Sequence, residues 1–211
     1  MKLYGYFRSS AAWRLRIALA LKGLPYENVF RHLRRGEQRD PAYLALNPQG
    51  LLPTLQLDDG TVLTQSLAIL EWLEETHPEP AILPRTALAR AAARAFALAI
   101  ACEIHPAQNS GVLERLRTDA GFDQTRVTAW AARVIDEGLT ACEALVRNRP
   151  GRFLFGDTPT IAEICLVPQL GNARRFGVDV TRFPRLLAAE AAAMELPAFV
   201  AATPQRQPDA E

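Results

Sequence analysis

The chain has 211 residues, about half of them hydrophobic, and a formal net charge of +1. That length suffices for one large domain or two smaller ones with real cores, and the interspersed Arg and Glu form no single-sign block of the kind that binds nucleic acid or a charged membrane surface. No run approaches the ~20 apolar residues of a spanning helix and no leader precedes the first strand, so a cytoplasmic protein without nucleic-acid or membrane partners is expected.

In chain order, "KLYGYF" predicts a strand, Ala11 to Leu21 an apolar helix with arginines on its other face, Gly23 its stop, and "YENVFRHL" a second strand. This is a βαβ unit with parallel pairing. A short helix over residues 40–46 follows. Then "LPTLQL" and "TVLTQ" flank Asp58-Asp59-Gly60, a strong hairpin signal, and residues 66–75 close the half as an amphipathic helix. The prolines of "THPEPAILP" interrupt both periods and mark a linker over residues 78–84, after a first domain of residues 1–77. Residues 85–211 read as an all-α domain, with long Ala-rich amphipathic segments and "TPQRQPDAE" as a frayed tail. Cys102, Cys142 and Cys165 lie in apolar helical contexts and read as buried free thiols; neither they nor His32, His77 and His105 show metal-ligand spacing.

Three junctions carry chemistry. Ser9 and Ser10 stand where the first strand hands over to a helix, and either can cap it by accepting a bond from a first-turn N–H. Two hydroxyls where one cap suffices, at a helix N-terminus that favours negative charge, also suit a bound anion or thiolate. In "NPQGLLPTLQL", Pro53 opens a strand and leaves the backbone of Leu52 available for an extended ligand, although the segment also reads as a plain turn and strand start. Gln65-Ser66 joins strand to helix, with Ser66 a simple cap or a ligand contact. All three polar junctions fall at one end of one sheet, where α/β folds gather ligands. Thr160 and Glu163, by contrast, form a capping box and read as folding chemistry. Arg174 and Arg175, near a helix end, suit either the helix dipole or a substrate carboxylate.

The order of "SSAAWRLRIALALKGLPYE", "ALNPQGLLPTL", "QSLAILEWLEETHP" and "FGDTPTIAEICLVPQLGNARRF" resembles the zeta-class glutathione transferases, the group that contains maleylacetoacetate and maleylpyruvate isomerases. The resemblance covers nearly the whole chain. It implies a thioredoxin-like α/β N-terminal domain with a mixed βαβ-ββα sheet, an all-α C-terminal domain, glutathione as cofactor, a homodimer, and a cis-trans isomerase acting on a maleyl keto acid in aromatic-compound catabolism. It implies Ser9 as the hydroxyl nearest the glutathione sulfur with Ser10 beside it. Leu52 would pair its backbone with the cysteinyl part, before a Pro53 held cis. Gln65 and Ser66 would receive the γ-glutamyl end, with Gln38, Gln49, His105 and Asn109 as further contacts. Arg8 and Arg175 resemble the arginines that hold the dicarboxylate substrate. Many members read Ser-Ser-Cys where this chain has Ser9-Ser10-Ala11, so a mechanism that needs a protein thiol is disfavoured, whereas one in which glutathione supplies the sulfur is not. The rival activities are conjugation of glutathione to small electrophiles or α-halo acids, and non-enzymatic carriage of ligands.

Overall fold

The computed structural model describes residues 1–211 and divides into two compact units: residues 1–82 with 194–211, and residues 83–193. In the first unit, β1 (Lys2–Gly5), α1 (Ser10–Leu21) and β2 (Glu27–Phe30) form the expected βαβ unit, with β1 and β2 parallel. After α2 (Pro41–Leu46), the hairpin β3 (Thr54–Gln56) and β4 (Val62–Thr64) adds to the other edge of β1, and α3 (Ser66–Thr76) closes the run. The sheet order is β2-β1-β3-β4. Gly60, at φ 89°, turns the hairpin in the left-handed region, and Gly23, at φ 64°, ends α1 in a Schellman arrangement in which Leu24 N–H reaches the Leu19 carbonyl.

The arginines on the other face of α1 are buried: Arg14 is 1% and Arg16 3% exposed. One expectation about this unit is corrected, for the tail is not frayed. The segment that holds α10 (Pro197–Ala201) packs against α1 and completes the first unit, whereas the sequence placed it with the helical half. Arg16 explains why. Its Nε donates to the Ala202 carbonyl (3.0 Å) and its Nη2 to the Phe7 carbonyl (2.9 Å), while the Phe7 N–H donates to Asp209 (2.9 Å). Burial pushes the Arg16 pKa down to about 10, with Tyr26 and Asp209 opposing, so the guanidinium remains cationic at neutral pH. Glu211 pairs with His32 and Arg34. Lys22 is buried and tied at once to Glu74 (3.3 Å) and to the carbonyls of His77 and Pro80, which pins the end of α3 to the segment after it.

The second unit is helical. Thr86 caps α4 (Ala87–Leu98), which continues through a π-helical segment (Ala99–Ile104) into the turn α5 (His105–Ala107); α6 (Ser110–Thr118), α7 (Gln124–Val146), α8 (Ile161–Arg175) and α9 (Pro184–Met194) follow. α8 is buried on nearly every face, the mark of a central helix, and it starts at the expected capping box. The π-helical segment was not visible in the sequence. It packs against α7 at Gly138, where a Cβ would lie 2.3 Å from Ile104 Cγ1, so glycine is what lets the two helices approach. Cys142 and Cys165 are buried as expected, but Cys102 is exposed. No helix is long and apolar enough to cross a membrane.

Candidate functional site

Register brings the three polar junctions of the first unit together. β1 and β3 run antiparallel with Tyr4 opposite Thr54, and Thr54 in turn lies opposite Thr64. The end of β1, the start of β3 and the end of β4 therefore lie at one end of the sheet. The loops that leave it carry Arg8-Ser9-Ser10, Leu52-Pro53 and Gln65-Ser66.

Ser9 is the N-cap of α1: its Oγ accepts the Ala12 N–H at 3.2 Å. A hydroxyl has lone pairs to accept with and a proton to donate, so capping occupies the first function and leaves the second available. The side chain is half-buried, with no thiol beside it, since Ala11 is packed into the core of α1. Ser10 is the first residue of the helix and is buried. Arg8 is half-buried, with its guanidinium over the Phe7 ring at 5.4 Å and an Nε that makes no hydrogen bond.

The Leu52–Pro53 bond is cis, and both residues lie outside the ladder, which starts at Thr54. A buried network that sequence reasoning missed fixes the loop before them. The Tyr43 hydroxyl and the Asn47 amide both donate to the Leu51 carbonyl (2.6 and 2.9 Å), and both also bond Thr54 Oγ1 (2.8 and 3.0 Å). Burial pushes the Tyr43 phenol up, which keeps it a neutral donor. "NP" and "PT" flank a turn in the sequence, but nothing there shows that Asn47 is 1% exposed.

Gln65 is the one non-glycine residue with positive φ (66°), a strained backbone of the kind that persists where function requires it. It, rather than Ser66, is the N-cap of α3, and no side chain caps this helix. The first-turn N–H groups of α3 are therefore available to an anion. The Ser66 hydroxyl instead accepts from Nη1 of the buried Arg14 at 3.2 Å. Gln65 Nε2 donates to Gln49 Oε1 at 2.9 Å, which joins two of the expected contact residues. Gln38 lies in a short turn (Glu37–Arg39), its Oε1 buried and without a hydrogen bond.

In the second unit, His105 opens α5 directly after the π-helical segment, and Asn109 caps α6 by accepting the Val112 N–H at 3.1 Å, which leaves its amide N–H groups to donate. The adjacent arginines at the end of α8 are both exposed; Arg174 is committed to Glu190 through two bonds, and Arg175 lies over the Phe176 ring at 4.8 Å. Burial pushes the Cys142 thiol up to about 12, so it is no nucleophile at neutral pH.

Comparison with known proteins agrees with this architecture. Residues 8–76 match the model of the glutathione S-transferase N-terminal domain, and residues 111–189 that of the C-terminal domain. The chain is 50% identical over 212 residues to a maleylpyruvate isomerase of a Ralstonia species, with 99% of each covered. It superposes with TM-score 0.97 on the holo structure of a maleylpyruvate isomerase described as a bacterial glutathione S-transferase of the zeta class, at 49% identity and with both chains fully covered. It superposes equally well on a maleylacetoacetate isomerase from Methylobacterium extorquens AM1 with bound malonate and glutathione, at 40% identity and again over the full length of both. With both domain models and full-length relatives at this identity, the chain belongs to the glutathione S-transferase family, and within it to the zeta class.

Proposed function

We propose that the protein is a glutathione-dependent cis-trans isomerase that converts a maleyl keto acid, maleylpyruvate or maleylacetoacetate, to its fumaryl isomer. The observation that carries this reading is the half-buried Ser9 hydroxyl, its lone pair taken by a helix N–H, in a chain half identical over its length to a maleylpyruvate isomerase. The residues of the first unit fit glutathione: an uncapped helix start at α3 for a carboxylate, and a loop at Leu52 outside the ladder for an extended peptide. Glutathione supplies the thiolate that adds reversibly to the cis double bond of the substrate, which becomes single and can rotate.

In this reading residues 1–82 with 194–211 bind glutathione and residues 83–193 bind substrate. Ser9 donates its proton to the glutathione sulfur and, with the N-terminus of α1, holds the sulfur as thiolate. Ser10, beside it in the chain, assists. Leu52, before Pro53, holds the cysteinyl backbone. Gln65, Ser66 and Gln49 hold the γ-glutamyl end, and Gln38, His105 and Asn109 make further polar contacts. Arg8 and Arg175 bind the two substrate carboxylates and stabilise negative charge that develops on the keto oxygen. Arg174 takes no part, because Glu190 already holds it. A homodimer in the cytoplasm belongs to the same reading.

Stoichiometry tests it. With catalytic glutathione and excess maleylpyruvate or maleylacetoacetate, ultraviolet absorbance is expected to show many turnovers per glutathione. Product that stops accumulating when it equals the glutathione supplied means a conjugating transferase instead. Arg175→Ala is expected to lower kcat/KM by about 10-fold, the loss of roughly one charge-assisted bond of ~1.5 kcal/mol, and to leave the pKa of bound glutathione unchanged. An Arg175→Ala variant with wild-type kcat/KM removes that arginine from the substrate site.

A further inference from the structure

We propose that Arg14 is a specificity-determining positioning residue: it fixes the Ser66 hydroxyl as a donor toward the ligand and so makes the start of α3 select a carboxylate. The inference rests on the reading that glutathione binds the first unit.

Arg14 is among the largest fully buried side chains of the protein, 1% exposed, and its Nη1 lies 3.2 Å from Ser66 Oγ. A guanidinium has five N–H donors and no acceptor, so in this pair the oxygen of Ser66 can only accept. The hydroxyl proton must then point away from Arg14. Ser66 is the first residue of α3, and the first-turn N–H groups there have no side-chain cap. The Ser66 proton and the free backbone N–H groups are therefore all donors at this helix start. A carboxylate meets all of them. An ammonium or an amide N–H placed there meets only the remaining lone pair of Ser66 Oγ, beside the cation of Arg14.

The charge of Arg14 adds to this. Its Nε and Nη2 make no hydrogen bond, and its burial keeps water from screening the cation. In glutathione the group that matches is the α-carboxylate of the γ-glutamyl residue. Ser9 follows the same rule with a weaker partner, since the donor on its lone pair is the neutral Ala12 N–H. One helix, α1, thus sets the polarity of both hydroxyls, Ser9 from its N-terminus and Ser66 from its interior.

A purely structural Arg14 would affect stability and leave ligand discrimination unchanged, so discrimination is the readout. Isothermal titration compares glutathione with the analogue in which hydrogen replaces the γ-glutamyl α-carboxylate. The wild type is expected to prefer glutathione by about 30-fold or more, and Arg14→Gln, whose amide can also accept from Ser66, to reduce that preference by about 10-fold. Ser66→Ala is expected to reduce it similarly, and the double variant no further than the singles, because the two residues act as one unit. Should thermal melts show Arg14→Gln unfolded, Arg14→Lys replaces it; this keeps an obligate cationic donor and is expected to retain at least about a third of the preference. An Arg14→Gln protein that keeps the full preference overturns the proposal, as does an Arg14→Lys protein that discriminates no better than Ser66→Ala. Wild-type protein that binds both compounds equally overturns it while sparing the glutathione reading, and protein that binds neither removes both.

Discussion

Ser9→Ala is expected to raise the pKa of bound glutathione by up to about 2 units. A free thiol near pKa 8.5 is only a few per cent ionised at pH 7, and a depression of ~2 units requires ~2.7 kcal/mol. A partly buried helix N-terminus provides at most ~2 kcal/mol, and a charge-assisted bond from a hydroxyl adds ~1.5 to 3 kcal/mol. Without the hydroxyl, the helix alone falls short. At pH 7 turnover is expected to drop by about 3- to 30-fold, since the thiolate fraction falls while the nucleophilicity of each remaining thiolate rises with its pKa.

The same substitution also removes the cap on Ala12 N–H, which costs ~0.5 to 2 kcal/mol of stability. Ser9→Gly separates the two effects, because glycine is a tolerable N-cap: its stability is expected within a few tenths of a kcal/mol of wild type, with the thiol pKa raised as in Ser9→Ala. Thiolate absorbance against pH, beside thermal melts, reads both. If the thiol pKa is unchanged in both variants, Ser9 is a helix cap alone and Ser10 becomes the candidate.

The largest stability loss is expected from Glu163→Ala, about 3 to 5 kcal/mol, or a fall in Tm of ~6 to 20 °C for a chain of this size. Glu163 is fully buried in the second unit. One carboxylate oxygen accepts the Leu154 N–H at 2.6 Å, and the other accepts the Thr160 N–H at 2.8 Å and the Thr160 hydroxyl at 3.1 Å. Burial pushes its carboxyl pKa up, and the bonds from Thr160 and Leu154 pull against that shift. Truncation leaves two buried N–H groups without acceptors and a cavity where the carboxylate was. Calorimetry of the purified variant checks this. A Tm within 3 °C of wild type would show that the surroundings re-satisfy both groups, and that the box is dispensable.

What was legible in the sequence is what a few neighbouring residues decide. Thr160 and Glu163 cap their own helix, Asp58-Asp59-Gly60 turns its own hairpin, and Gly23 stops the helix before it, so each signal sits beside its effect. The burial of Arg14 and Arg16 was not legible because their partners are distant in sequence. Ser66 and Ala202 turn a helix face that looks solvated into a buried one. The tail was misread for the same reason: "TPQRQPDAE" has no periodicity of its own and is ordered by Phe7, His32 and Arg34. At the site, the junctions with Ser9, Leu52 and Gln65 could be found because strand ends and helix starts are local. That Gln65 rather than Ser66 caps α3, and that Tyr43 and Asn47 brace Leu51, depends on pairing that only the folded sheet creates.

The placement of residues 194–211 also bears on how the chain is made. Ribosomes deliver the amino end first, at about 5 to 20 residues per second, and domains ordinarily fold as they emerge. Here the first unit lacks α10, the Ala202 acceptor for Arg16 and the Asp209 acceptor for Phe7 N–H until residues 194–211 are made. The 129 residues that follow Ile82 hold back its completion on the order of 10 s. Through that interval Arg16 has no Ala202 carbonyl to bond, so the second unit, contiguous in sequence, can finish folding before the unit that began first.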